Sequence, residues 1–442
     1  MQTKLVELMK QASVVGAGGA GFPSYAKIAD GADTLVVNAA ECEPLTYTDL
    51  TLMRHHMPEI IRGVEIVLSE TGMERGIVGM KTHTGKELGY TDGQVLGKNV
   101  TVCLLPDVYP MGDEISLIFE TTGRLVQPGA LPITQHVIVY NAETVYNIYR
   151  AVTEGAPVTE KWLSIGGDLK QGYIVRVPIG MRISELFEKL GITIPEGHVL
   201  IDGGPSMGKI IPLSGSVIRK TTKGLLILPD TIPAVVNQNR SPDEQRKIAS
   251  SVCCQCSRCT ELCPRHMLGY PIEPHRMVRS SVSIAKDDPI LIQTAQVCCS
   301  CGICSVAACC QGISPRAVIN EYKGILAKNR VRFNANGKIY HPHPDRENRM
   351  MSSERWKELL GVKRFDKEGK FLPDLMKAGE VVIPMSMHIG APSVPAVNVG
   401  DHVTAGQMIA GAAEGALSVP QYASVTGKVT FADAKQIIIQ AD

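Results

Sequence analysis

Eleven of the chain's thirteen cysteines fall into two dense groups, and no other feature restricts its possible folds as tightly. The first group is Cys253, Cys254, Cys256, Cys259 and Cys263; the second is Cys298, Cys299, Cys301, Cys304, Cys309 and Cys310. The first contains C-x2-C-x2-C-x3-C-P, ending at Cys263 and Pro264. The second nearly repeats it, with Cys298, Cys301 and Cys304 followed by Cys309. Three thiolates two residues apart wrap a tight loop around one face of a cubane iron–sulfur centre, and a fourth arrives from farther along the chain. Soft sulfur ligands suit iron.

This run resembles that of bacterial-type ferredoxins, in which the last cysteine of each run ligates the other cluster. The resemblance implies one [4Fe–4S] cluster on Cys253, Cys256, Cys259 and Cys309, and a second on Cys298, Cys301, Cys304 and Cys263. Cys310 occupies the place that Pro264 has in the first run, so Cys309 or Cys310 stays open as the last ligand. Two other uses of the thiols compete. Disulfides need an oxidising compartment, but the N-terminus, Met1 to Glu7, shows no apolar h-region, so the chain is expected in reducing cytosol. Structural zinc takes paired C-x2-C knuckles, and triplets exceed what one tetrahedral ion needs.

The rest of the composition fits a multidomain protein. A length of 442 residues allows about three domains. A net charge of +1 gives no electrostatic case for nucleic acid or an acidic membrane surface. No apolar stretch reaches the ~20 residues of a transmembrane helix.

Leu5, Leu8, Met9 and Ala12 recur at helical spacing, and the run Gly16 to Pro23 then breaks the helix. Gly16, Gly18 and Gly21 match G-x-G-x-x-G, but a Rossmann fingerprint follows a strand and opens a long helix, whereas this loop follows a helix and meets Pro23. A loop with bare amides could still cradle a phosphate or lie beneath a ring system. Leu35-Val36-Val37 then reads as a buried strand, ending at Asn38-Ala39-Ala40-Glu41-Cys42-Glu43-Pro44.

The glycine run with Phe22 and Pro23, Lys27, the Asn38 to Pro44 segment, Val108 to Glu114 and Tyr140 to Thr144, in this order, resemble the flavin subunit of respiratory complex I and the RnfC-like proteins. The resemblance implies FMN in a non-Rossmann α/β domain over residues 1–160. Gly16, Gly18, Gly19, Gly21 and Phe22 would form its loop, and Lys27, Asn38, Asn141 and Thr144 would contact FMN. Glu41 and Glu43 would face NADH, with Tyr109 and Glu114 lining the same cavity. Ala40 stands where complex I proteins carry an aspartate, as it does in RnfC-like members.

The remaining modules also resemble that family. Residues 161–235 are expected as a β-grasp domain whose glycines make turns, 241–316 as an α-helical ferredoxin-like dicluster domain, and 317–375 as a connector carrying the His341-Pro342-His343-Pro344 run. Residues 376–442, all short strands and turns, are expected as a C-terminal barrel-sandwich hybrid. Carriers of that shape present a lysine at a hairpin tip, but here Gly415 to Pro420 has none, which leaves a docking role.

RnfC subunits carry the sandwich before the flavin domain. Its C-terminal place here is similar to the cobalamin-reductase branch. That resemblance implies an oxidoreductase passing electrons from NADH through FMN and two clusters to the cobalt of cobalamin, with a corrinoid adenosyltransferase as partner. It also implies a cytoplasmic protein resident in a bacterial microcompartment and touching its shell. Two alternatives stay open: an RnfC-like NADH:ferredoxin or flavodoxin module, and a non-enzymatic dicluster adaptor.

Overall fold

The computed structural model describes residues 2–282 and 289–442. Its first unit is a sheet in the order Val95–Gly97, Val100–Leu105, Arg75–Lys81, Thr34–Asn38, Val137–Asn141, parallel throughout except for the first strand. Alternation along Thr34–Asn38 sends Leu35 and Val37 to one face and Val36 to the other. Helices Thr48–Thr71 and Ala142–Thr153 cover the first face with Leu52, Ile60, Val64, Val145 and Ile148. Helix Glu114–Thr122 covers the second, and residues of the cysteine-bearing unit, among them Tyr270, Met277 and Ile319, join the same core.

The helix expected at the N-terminus is Gln2–Gln11, and Leu5, Met9 and Ala12 are buried against the sheet's first face. A glycine loop therefore follows a helix, and the fold is not a Rossmann fold.

The second unit is a mixed sheet in the order Lys209–Ile211, His198–Asp202, Gly224–Pro229, Glu160–Gly167, Tyr173–Pro178, Lys370–Leu375, with helix Ile183–Leu190 packed on it through Leu186 and Phe187. The C-terminal unit is two small sheets, one of Glu380–Pro384, Gln436–Ala441, Gly427–Ala432 and His402–Val403, the other of Val394–Pro395, Met408–Gly411 and Gln421–Tyr422. These two units share one apolar core, in which Val175, Val177 and Met181 meet Val381, Ile383 and Ile437. The Gly415 to Pro420 tip is docked on the first unit: Tyr25 Oη donates to Ser418 O (3.2 Å) and Ser13 Oγ to Pro420 O (2.5 Å).

Helices Pro242–Val252, Pro274–Val282 and Pro315–Lys328 pack together around the cysteine loops, so this unit runs beyond residue 316. The stretch 317–375 is accordingly more than a connector. Met351–Ser352 pairs with Val108–Tyr109, Trp356 is buried, and Lys370–Leu375 extends the second unit's sheet. The His341 to Pro344 run lies along the cluster unit, where His343 N donates to Met267 O (2.9 Å).

Candidate functional site

Asn38 and Asn141 end adjacent parallel strands and are paired in register, at the strands' carboxyl ends where open α/β sheets bind ligands. Asn141 caps helix Ala142–Thr153 by accepting from Glu143 N (3.0 Å), and its Nδ2 donates to Asn38 O (3.3 Å) and Asp49 Oδ2 (3.0 Å). Asn38 Nδ2 donates to Gly112 O (2.9 Å). The glycine loop crosses directly above. A Cβ at Gly18 would stand 3.0 Å from Asn141 Nδ2, a tight contact to which the Asn141 side chain would have to yield.

The loop is pinned at its root and open at its tip. Gly16 N donates to Phe22 O (2.9 Å), Ala17 N to Thr144 Oγ1 (3.0 Å), and Lys161 Nζ to Ala17 O (3.3 Å). Gly21 is held by Ile389 of the C-terminal unit, whose amide donates to Gly21 O (3.1 Å), and Phe22 is half-buried beyond it. Gly18, Gly19 and Ala20 are exposed, and among the described residues their amides find no acceptor within the chain. Bare backbone amides of this kind are able to bind an anion, which fits the phosphate of a flavin nucleotide. Lys27 Nζ donates to Val139 O (3.0 Å) and pairs with Glu114 (3.0 Å), with both side chains about a third exposed.

Around the strand ends lies a buried charge network that sequence reasoning missed. Lys161 and Glu143 form an ion pair with 1% and 2% of their side chains exposed. Lys223 pairs with Asp49 and lies 3.6 Å from Glu41. Burial works against the Lys223 charge, but Asp49 and Glu41 outweigh it and raise its pKa. Burial also pushes the Glu41 and Glu143 carboxyls up, against the pull of their lysines. Both lysines come from the second unit. Asp49 Oδ1 is buried without a partner among the described residues.

Three residues expected on the nicotinamide side have other work. Glu41 caps helix Thr48–Thr71 from outside, accepting from Thr48 N (3.1 Å), Thr48 Oγ1 (2.8 Å) and Asp49 N (3.1 Å), a favourable place for a carboxylate. Glu43 turns to the second unit and accepts from Ser206 N (2.9 Å). Tyr109 is buried, stacked on Trp356 (4.6 Å between centroids, 10° between planes), and its hydroxyl donates to Cys301 O (2.8 Å). Trp356 Nε1 donates to Ser206 Oγ (3.0 Å) and Arg316 to Ser206 O (2.6 Å), so this hub ties three units together.

The two cysteine loops share a backbone conformation. Gln255 and Ser300 have φ of 56° and 59°, and Ser257 and Gly302 have 63° and 87°. These left-handed residues turn the alternate thiols inward. One cavity is lined by Cys253, Cys254, Cys256, Cys259, Cys309 and Cys310. The other is lined by Cys263, Cys298, Cys299, Cys301 and Cys304. Each thus draws its last cysteine from the opposite run, and such thiol-only donor sets fit cubane clusters. The second cavity lies on the flavin-domain side, beside Tyr109 and the Asp113–Arg265 pair (2.7 Å). The first opens to solvent at Cys254, Cys256 and Cys310.

Comparison with known proteins identifies three stretches of the chain. Residues 9–150 match the Nuo51 FMN-binding domain, 252–314 the 4Fe-4S dicluster domain, and 363–441 the RnfC barrel sandwich hybrid domain. The chain is 35% identical over 435 residues to cobalamin reductase PduS of Salmonella typhimurium, covering 98% of this chain and 95% of that one, and equally to PduS of Citrobacter freundii. A component of the Na(+)-translocating ferredoxin:NAD(+) oxidoreductase complex of Acetobacterium woodii is 31% identical over 270 residues, 59% of this chain and 58% of that one. With a flavin domain, a dicluster domain and a hybrid domain in the order these matches give, the chain belongs to the PduS cobalamin reductase family of RnfC-related flavin and iron–sulfur oxidoreductases.

Proposed function

We propose that this chain is an NADH-dependent cobalamin reductase that delivers electrons to corrin cobalt presented by a partner such as a corrinoid adenosyltransferase. The observation that carries this is the extent of the likeness: alignment to PduS spans 98% of the chain, C-terminal hybrid included, whereas the Na(+)-translocating complex component aligns with 59%. When bound, FMN converts a two-electron hydride donor into single electrons, which cubane clusters carry. The Gly18 to Ala20 amides and Lys27 would hold its phosphate, and Asn38 and Asn141 at the strand ends would orient the ring's polar edge. Thr144 fixes the loop root through Ala17. Cys253, Cys256, Cys259 and Cys309 hold one cluster, and Cys263, Cys298, Cys301 and Cys304 the other. Because the exposed cysteines Cys254, Cys256 and Cys310 all line the first thiol cavity, the acceptor docks over the Cys254 to Cys256 loop. Among the described residues no helix is long and apolar enough to cross a membrane.

The test joins anaerobic iron, sulfide and flavin analysis to NADH-dependent reduction of candidate acceptors. About eight irons and one FMN per chain are expected, with cob(III)alamin reduced. Reduction of ferredoxin or flavodoxin but not cobalamin refutes the proposed acceptor. Absence of releasable FMN leaves a dicluster adaptor.

A further inference from the structure

The first thiol cavity holds more ligands than its cofactor takes. A cubane bonds four thiolates, yet six line this cavity. Cys253, Cys259 and Cys309 are half-buried. The Sγ atoms of Cys254, Cys256 and Cys310 lie within 4.8 Å of one another, and all three residues are exposed. Exposure leaves these three side chains free to change rotamer, and their spacing lets each reach the same point by doing so.

The second cavity is built differently. Its equivalent of Cys254 is Cys299, which is half-buried and stands near the Arg265–Asp113 pair. Its equivalent of Cys310 is Pro264, which cannot ligate. The surplus of exposed thiols is therefore confined to the one cavity, and the one side of it, that solvent and oxidants reach first.

We propose that Cys254 and Cys310 are reserve ligands: any one of Cys254, Cys256 and Cys310 can complete the solvent-facing corner of the first cluster. This rests on the reading that the cavity holds a [4Fe–4S] cluster. In the exchange, the incoming thiol gives its proton to the departing thiolate as one S–Fe bond forms and another breaks. Iron count, total charge and oxidation state are unchanged. The cluster thereby survives loss of a single outer thiol, for which a four-cysteine loop has no remedy.

The test uses the full chain reconstituted anaerobically. C256A and the C254A/C310A double variant are each expected to keep about eight irons with matching sulfide, and the triple variant C254A/C256A/C310A to fall towards four. C256A should also show altered g-values for one reduced cluster, because a different sulfur then holds that corner. If C256A loses as much iron as the triple variant while retaining its FMN, the proposal is overturned. A second measurement does not depend on any variant folding. In anaerobic alkylation of the wild-type holoprotein, mapped by mass spectrometry, two of the three outer thiols should react and one be protected. Reaction of all three in a protein holding eight irons means that none is a ligand and overturns the proposal. Wild-type protein that never exceeds four irons refutes the underlying two-cluster reading instead, a distinct result.

Discussion

Replacing Lys161 by methionine should detach the flavin while leaving the clusters in place. Lys161 is 1% exposed, forms an ion pair with a Glu143 that is 2% exposed, and donates to Ala17 O at the root of the glycine loop. Methionine fills similar volume but leaves the Glu143 carboxylate buried, with the backbone amide of Trp162 at 3.4 Å as its remaining hydrogen-bond donor and Lys223 as the nearby cation. Breaking a buried pair by removing one partner costs about 3–5 kcal/mol. At a urea slope of about 2 kcal/mol per M, the flavin-domain transition should move down by about 2 M. The loss should depend on pH. Burial already raises the Glu143 pKa, and without Lys161 it rises further, so the folded state binds a proton that the unfolded state releases. Stability of K161M then falls as pH rises from the ordinary carboxylate range through the raised folded value, and is best in acid. The assay is urea titration at pH 5.5 and 8 followed by flavin fluorescence, with iron and sulfide measured in parallel. The expected outcome is FMN lost at pH 8, partly retained at pH 5.5, and iron unchanged. K161M that holds FMN like wild type and unfolds within about 1 kcal/mol of it at both pH values would refute the reasoning, since surface changes produce no more.

Three further outcomes follow from the same geometry. Gly21 has φ of +75°, and a Cβ there would come 2.9 Å from Thr221 Cγ2 and 3.1 Å from Met387 O, so G21A should lose about 2–4 kcal/mol through backbone strain and overpacking, read as a fall in thermal midpoint with weaker FMN retention. Y109F leaves the Cys301 carbonyl without its 2.8 Å donor, for a loss of about 1–3 kcal/mol, and W356A, which empties the stack beneath it, should lose about 3–5 kcal/mol; chemical unfolding of the holoprotein measures both. Burial lowers the Lys220 pKa to about 7, so the folded state gives up this proton before the unfolded state does, and stability rises with pH from about 7 towards the unfolded value; that rise, up to about 1.4 kcal/mol per pH unit, should vanish in K220M when unfolding is followed from pH 6.5 to 9.5.

Much of the architecture is legible in the chain because its signals are local. The helical period before the glycine loop argues against a Rossmann fold from sequence alone, and Leu35-Val36-Val37 reads correctly as a buried strand. The stretch 317–375 is less legible. Its polar composition suggests an extended link, but Trp356 and strand Lys370–Leu375 are claimed by partners more than a hundred residues away. Tyr109 illustrates the same limit. Its sequence neighbourhood resembles a flavin-cavity turn, whereas packing against Trp356 and Cys301 turns it into the seam between flavin and cluster units.

The chemistry is written into short runs of the chain: C-x2-C-x2-C spacing is a property of one loop, and four glycines in six residues leave backbone amides bare wherever that loop is held. Which thiols meet is a matter of packing in three dimensions. Cys309 lines the first run's cavity and Cys263 the second's, the crossing that the ferredoxin resemblance implies, and it is three packed helices that bring the distant runs together, which the spacing within each run does not encode. The same packing makes Lys161 and Lys223, unremarkable in the chain, the buried cations beneath the flavin strands. A lysine's partner is set by where a separate domain docks, and that docking is driven by apolar burial spread over the whole interface rather than by the residues around the lysine.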